Sequence, residues 1–309
     1  MHKLVFFGTP EICLPFLELL HAHFTIALIV TQPDTMAGRN RKKLLVPAAK
    51  TFALEKNIEV IQPDSLKDDS LVEKLTRLEP FISVVISYGK IIPGRIFKIP
   101  KFGTINVHFS LLPYYRGAAP VQRAIADGQS KTGITIFEIV KKMDAGDIWA
   151  MKEMDIAPDD TTGTLWDRMS REGAPFLIDT IKKITSGQLQ KYPQDHDRAT
   201  FAPIVQKEEG SIDWNLTAPQ IYNKFRAFTP WPGIFFCMKE KSFKLTKVKV
   251  SGESHEKKPG HVLTWDKISL KVCCGQGTVL EVFELQPQGK NPMAPYCYCM
   301  GNELPECLM

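Results

Sequence analysis

A chain of 309 residues has the length of roughly two domains at about 150 residues each, and 44% hydrophobic against 24% charged residues is the balance of a protein that buries ordinary cores. No apolar run reaches the roughly 18 residues that a bilayer span needs, and Gly8-Thr9-Pro10 interrupts the early apolar stretch before any cleavage pattern, so neither a membrane helix nor a secretory signal is expected. The net charge of +5 permits nucleic acid as a partner without arguing for it, because the placement of the charges matters more.

Residues 4–7 read as a short strand ended by Gly8-Thr9-Pro10, with Thr9 as a helix cap and Pro10 at the first helical position. Leu14, Phe16, Leu17 and Leu20 then give an apolar helical face. Strands are expected over 24–30, 59–61 and 81–86, and helices over 47–54 and 71–78. The alternation continues with a strand over 104–109, a helix near 119–126, a strand over 133–140 and a long helix over 162–185. Strands alternating with helices imply an α/β fold with a mostly parallel, Rossmann-like sheet covered by helices on both faces. No GxGxxG follows the first strand, so a dinucleotide fingerprint is absent.

Residues 189–205 are polar, contain Pro193 and Pro203, and read as a linker between domains over 1–188 and 206–309. After a helix over 216–228 and the breaker Pro230-Trp231-Pro232-Gly233, only strands follow, over 234–238, 243–250, 261–263, 268–273 and 278–285. Short strands with regular turn signals imply a small OB-like β-barrel.

The seven cysteines are an odd number without a secretion signal, which points to reduced thiols and a cytoplasmic protein. Cys297, Cys299 and Cys307 match no standard zinc spacing, and no metal is expected.

The stretch GTINVHFSLLPYYRG carries the chemistry. In a strand over 104–109, Asn106 and His108 share one face near the carboxyl end, where open α/β sheets bind ligands. Asn is depleted in strands, and burying an amide is costly unless it is hydrogen-bonded. Two polar side chains on one strand face are hard to explain as packing. An amide, an imidazole and a loop carboxylate can stabilise and deprotonate a tetrahedral intermediate. The carboxylate comes from MDAGDI, where the residues alone leave Asp144 and Asp147 both open.

These residues resemble the signature of the folate-dependent formyltransferases. The likeness runs through LVFFGTP, TQPD, AGRNRKK, SYGKIIP, GAAPVQRAI, TGITIF, MDAGDI, RAFTPWPG and LQPQGKNPM, and only about the last fifteen residues depart from the family's ending. The resemblance implies formyl transfer from 10-formyltetrahydrofolate, as co-substrate, to an amine. It assigns catalysis to Asn106, His108 and Asp144, while Asp147, just before the apolar Ile148-Trp149, is expected to fix the loop. It places Ser110, Leu111, Leu112 and Pro113 beside the folate and lines the pterin pocket with Ile86, Tyr88, Ile91 and Ile92. Arg116, read as exposed in a Tyr-Arg-Gly turn, is open between a ligand role and an ion pair.

Arg39, Arg41, Lys42 and Lys43 crowd one loop after the second strand, at the same sheet edge, where RNA phosphates could be held. With GAAPVQRAI, this loop favours the members of the family that formylate the α-amine of methionine on initiator tRNA. Those members bind tRNA through the C-terminal domain, where Lys239, Lys241, Lys244, Lys247 and Lys249 form a positive strip opposed in the local sequence by Glu240 alone. A monomer without a membrane partner is expected. The alternatives are an amino-sugar-nucleotide formyltransferase, a hydrolase using water as acceptor, and a catalytically silent RNA- or folate-binding module.

Overall fold

The computed structural model describes residues 3–37, 43–238, 241–302 and 306–308. By contact the chain divides into two compact units. The first is Met1–Pro120, Thr132–Asp155 and Trp166–Ala202; the second is Val121–Lys131, Ile156–Leu165 and Pro203–Met309.

The first unit is built on β1 (Lys3–Gly8), α1 (Leu14–His23), β2 (Thr25–Val30), β3 (Thr35–Ala37), β4 (Lys43–Leu45), α2 (Ala48–Glu55), β5 (Val60–Ile61), α3 (Ser70–Leu78), β6 (Ile82–Ile86), α4 (Gly94–Phe97) and β7 (Thr104–His108). After α5 (Pro120–Ala126) come β8 (Lys131–Glu138), β9 (Ile148–Asp155) and the long α6 (Thr162–Thr185). Seven strands form one sheet in the order β5-β2-β1-β6-β7-β8-β9. Pairing is parallel from β5 through β7 and turns antiparallel between β7 and β8. The mostly parallel α/β sheet is as the sequence implies. Every residue of β6 is buried, which explains its unbroken apolar run.

Several elements escape the sequence pattern, among them the short helix α4 and the Pro295–Cys299 turn of helix near the end of the chain. β3 and β4 are three residues each and pair only with one another. β9 lies at the sheet edge, mostly half-exposed, and its Ala150, Met151, Lys152, Glu153 and Met154 are helix formers by intrinsic preference. The cross-strand partner overrides that preference.

The second unit contains α7 (Ala218–Ala227), whose Thr217 cap accepts from Gln220 N and is answered by the Gln220 side chain. Its strands β10 (Ile234–Met238), β11 (Lys241–Ser254), β12 (Val262–Trp265), β13 (Leu270–Cys273) and β14 (Thr278–Pro287) form an antiparallel sheet in the order β10-β11-β14-β13-β12. A short α8 (Pro295–Cys299) follows. Three register shifts interrupt the long β11 against β14, and such irregularities bend and twist a strand.

The register corrects one charge expectation. Glu284 lies opposite Lys247 and Glu281 opposite Lys249, and Lys271 pairs with Glu253. Directly opposed residues share a face, so acids of β14 answer Lys247 and Lys249, whereas Lys241 lies opposite Met238 and Lys244 opposite Phe235 and Gln286, and Lys239 and Glu240 lie outside the described residues. No helix among the described residues is long and apolar enough to cross a membrane.

Candidate active site

β7 ends at the middle of the larger sheet, between β6 and β8, with Asn106 paired to Val85 on one side and Phe137 on the other. The Asn106 side chain is half-buried and has no hydrogen-bond partner among the described residues. His108, 5% exposed, sits edge-on to Phe137 with ring centroids 6.3 Å apart. Its Nε2 donates to the Tyr115 carbonyl at 2.9 Å, and its Nδ1 faces Asp144 Oδ2 at 3.8 Å. The second distance is too long for a hydrogen bond. It leaves room to tighten when a substrate arrives.

Asp144 is held from below. The Gly117 N–H donates to Oδ2 at 2.7 Å. Gly117 has φ +124, and a Cβ there would lie 2.6 Å from the Ala202 carbonyl oxygen, so only glycine suits the position. Asp147 turns elsewhere, with Oδ2 4.0 Å from Lys191 Nζ. The structure thus brings Asn106, His108 and Asp144 to one strand end and leaves Asp147 outside.

The 110–113 loop leaves β7 at that point. The Thr135 hydroxyl, across from His108 in the register, donates to the Ser110 carbonyl at 2.6 Å and accepts from Leu112 N at 3.1 Å. The Ser110 hydroxyl donates to the Tyr114 carbonyl at 2.7 Å. Leu111 stays half-exposed beside Gly133, where any Cβ would collide with the Leu111 side chain. Leu112 packs with Phe137 and Ile148, and Pro113 is half-buried.

The residues expected to line the pterin pocket separate. Ile86, Tyr88 and Ile92 are buried. Tyr88 and Ile92 join the core with Val5, Phe7 and Leu28, and the Tyr88 ring meets Phe7 edge-on at 5.6 Å. Ile91 is 80% exposed. Burial pushes the Tyr88 phenol up to about 12, and its hydroxyl is buried without a partner among the described residues. The Tyr88 carbonyl accepts from Thr9 Oγ1 at 3.2 Å and Gln32 Nε2 at 2.9 Å, stitching together the turns after β1, β2 and β6.

Arg116 departs from its expected exposure. It is 2% exposed, donating from Nε and Nη2 to Gln194 Oε1 at 3.1 and 2.6 Å and from Nη2 to His196 Nδ1 at 2.8 Å. Burial pushes the guanidinium down from its ordinary value while the Asp144 charge pulls it back up. A tight Tyr-Arg-Gly turn reads as surface in the sequence; here the 192–202 segment closes over it, with Arg116 N donating to the Thr200 carbonyl and Ala202 N to the Arg116 carbonyl. Tyr115, Thr135, Gln194 and His196 were not singled out by the sequence reading. Their partners lie 7 to 80 residues away, and the local sequence carries no signal for such contacts.

Of the basic loop, Arg39, Arg41 and Lys42 lie outside the described residues, and of Lys43 only the backbone is described, opposite Ala37 in the β3–β4 ladder. At the foot of this hairpin Asp34 bonds Lys50 at 2.6 Å and Gln62 at 2.7 Å, and these two contacts hold its carboxyl below the usual range.

A formyl transferase family model matches residues 3–181, and the model of the formyl transferase C-terminal domain matches residues 204–303. The methionyl-tRNA formyltransferase of Listeria monocytogenes is 39% identical over 301 residues, covering 97% of this chain and 96% of the relative. That of a Sulfurihydrogenibium species is 41% identical over 281 residues, covering 90% of each. Among solved structures, an N-formyltransferase from Helicobacter canadensis in complex with folinic acid and dTDP-3-aminofucose superposes with a TM-score of 0.69 at 18% identity, over 92% of this chain and 99% of that one. That last likeness speaks for the fold alone. Matched over nearly its whole length by both domain models and by close relatives, the chain belongs to the formyl transferase family, among the methionyl-tRNA formyltransferases.

Proposed function

We propose that the protein transfers the formyl group of 10-formyltetrahydrofolate to the α-amino group of methionine on initiator methionyl-tRNA. Relatives of that name at about 40% identity support the reaction. The observation that carries the site is an Asn106 amide without a partner among the described residues, on the same strand as a His108 held between the Tyr115 carbonyl and the Asp144 carboxylate.

In this reading the Asn106 N–H meets the formyl oxygen as negative charge develops there, and one such donor is typically worth about 10²–10³-fold. His108 orients the reacting centre from Nδ1, since Nε2 is occupied. Asp144 takes the proton released by the attacking amine, directly or through a water, a contribution of about 10²–10⁴-fold. The 110–113 loop, pinned by Thr135, forms the near wall for the co-substrate, with Ile91 at its rim. The bond from the folate nitrogen to the formyl carbon breaks as the new amide forms, and the folate nitrogen recovers a proton.

Arg39, Arg41, Lys42 and Lys43 serve the tRNA acceptor end as phosphate contacts. Residues 1–188 carry the chemistry together with the following segment to Ala202, which packs into the same unit instead of serving as a free linker, and 206–309 hold tRNA. The protein acts as a monomer in the cytoplasm.

The deciding experiment gives the protein 10-formyltetrahydrofolate with charged initiator tRNA, with an amino-sugar nucleotide, or with neither acceptor. Formyl-methionyl-tRNA is the expected product. Transfer to the sugar alone, release of formate with no acceptor, or no turnover with any of them would replace this reading by one of its three alternatives.

A further inference from the structure

Gln194 lies 86 residues beyond His108 in the sequence and touches no catalytic side chain, yet its own side chain is 6% exposed and fully engaged. Oε1 accepts from Arg116 Nε and Nη2, while Nε2 donates to the carbonyls of Asp144 at 2.9 Å and Gly146 at 2.7 Å. That uses both lone pairs and both N–H groups of the amide. A guanidinium offers only donors, so Arg116 dictates which end of the amide is oxygen and turns the amino end onto the 144–146 loop. His196 Nδ1 and the backbone of Thr200 and Ala202 hold Arg116 in turn.

What Gln194 grips is a strained turn. Asp144 has φ +49, in the left-handed region that a non-glycine residue keeps only where its surroundings over-determine it. Gly146 beside it has no room for a Cβ, which would overlap the Glu138 carbonyl oxygen. The backbone of Asp144 is fixed by the Gln194 amide and its carboxylate by Gly117 N, and these two anchors together aim Oδ2 at His108.

We infer that Gln194 is a positioning residue for Asp144, locked in its working orientation by Arg116. The inference rests on the formyl-transfer reading for its kinetic consequence but not for its structural one.

The test uses Gln194→Glu, which keeps the size and the oxygens for Arg116 but removes both donors to the loop, together with Gln194→Ala. In crystals of Gln194→Glu, the Asp144 carboxylate is expected to leave Gly117 N. Turnover is expected to fall by about 100-fold, the loss that a misplacement of about 1 Å brings, with KM for both substrates within about twofold because binding is untouched. Combined with Asp144→Asn, Gln194→Glu is expected to cost almost nothing further, since groups acting as a unit are not additive. A residue that merely supports the fold would multiply the losses and lower Tm in step. An unmoved Asp144, or multiplicative losses in the double variant, overturns the inference. If the parent protein formylates no acceptor, the proposed reaction falls, and the crystals still decide whether Gln194 holds Asp144.

Discussion

The Tyr115 carbonyl oxygen lies 2.9 Å from His108 Nε2, and Tyr115 adopts φ +59 to present it. One ring nitrogen is therefore committed to the scaffold. The other, Nδ1, is the one that faces Asp144 and is left for chemistry. The amide nitrogen of asparagine falls near the place of Nδ1, whereas that of glutamine reaches the place of Nε2. Both His108→Asn and His108→Gln are expected to lower single-turnover transfer by about 10²-fold or more, with Asn retaining more than Gln. The reverse order would make Nε2 the working nitrogen.

Asn106→Asp sets a carboxylate where negative charge develops and is expected to fall further than Asn106→Ala, which loses about 10²–10³-fold. Asp144→Asn is expected to be far more damaging than Asp147→Asn, because Asp147 faces Lys191 and not the imidazole. Initial rates of formyl transfer measure all four. Equal losses at the two aspartates would separate Asp144 from the proton transfer.

The thiols give a pH test. Burial pushes Cys13 and Cys274 up to about 12 from an ordinary value near 9. In the unfolded chain these groups ionise first, so the stability they contribute is fully present below about pH 9 and is lost as pH rises towards 12. Urea midpoints are expected to drop across that window, and to drop less in Cys13→Ala. Near neutrality a thiol reagent is expected to modify the exposed Cys237 and Cys297 and to spare Cys13 and Cys274 until urea is added. Prompt modification of Cys13 in the native protein would contradict its burial.

Replacing Arg39, Arg41, Lys42 and Lys43 together by alanine is expected to weaken tRNA use and leave folate binding intact. Each lost phosphate contact removes about one unit from the slope of log affinity against log salt. Titrations of tRNA at several salt concentrations, for parent and variant, measure it. An unchanged slope and transfer rate would reduce the loop to solvated surface.

The sequence is most legible where chemistry and local periodicity coincide. The two-residue spacing of Asn106 and His108 placed both on one strand face, and the unbroken apolar run 82–86 announced a strand covered on both sides. Asp144 was ambiguous with Asp147 until the family likeness separated them, because both sit in one tight loop. Thr135 and Gln194 were invisible: a threonine in a strand and a glutamine in a polar segment have no local signature. Their roles come from a cross-strand register and from a contact 48 to 50 residues away. Lys247 and Lys249 misled for the same reason, since the acids opposite them, Glu284 and Glu281, belong to β14.

The segment 192–202 has a consequence for biosynthesis. The chain leaves the ribosome from its N-terminus, and domains assemble as their residues emerge. His108 and Asp144 are both out before the residues that brace them: Gln194 for the Asp144 loop, Thr200 and Ala202 for the turn that carries Tyr115 and Arg116. A nascent chain stopped short of residue 202 already contains the strands of the larger sheet together with Asn106, His108 and Asp144, yet it lacks the segment that braces their surroundings. The proposed catalytic geometry is thus completed late in synthesis, after the residues assigned to the chemistry have already emerged.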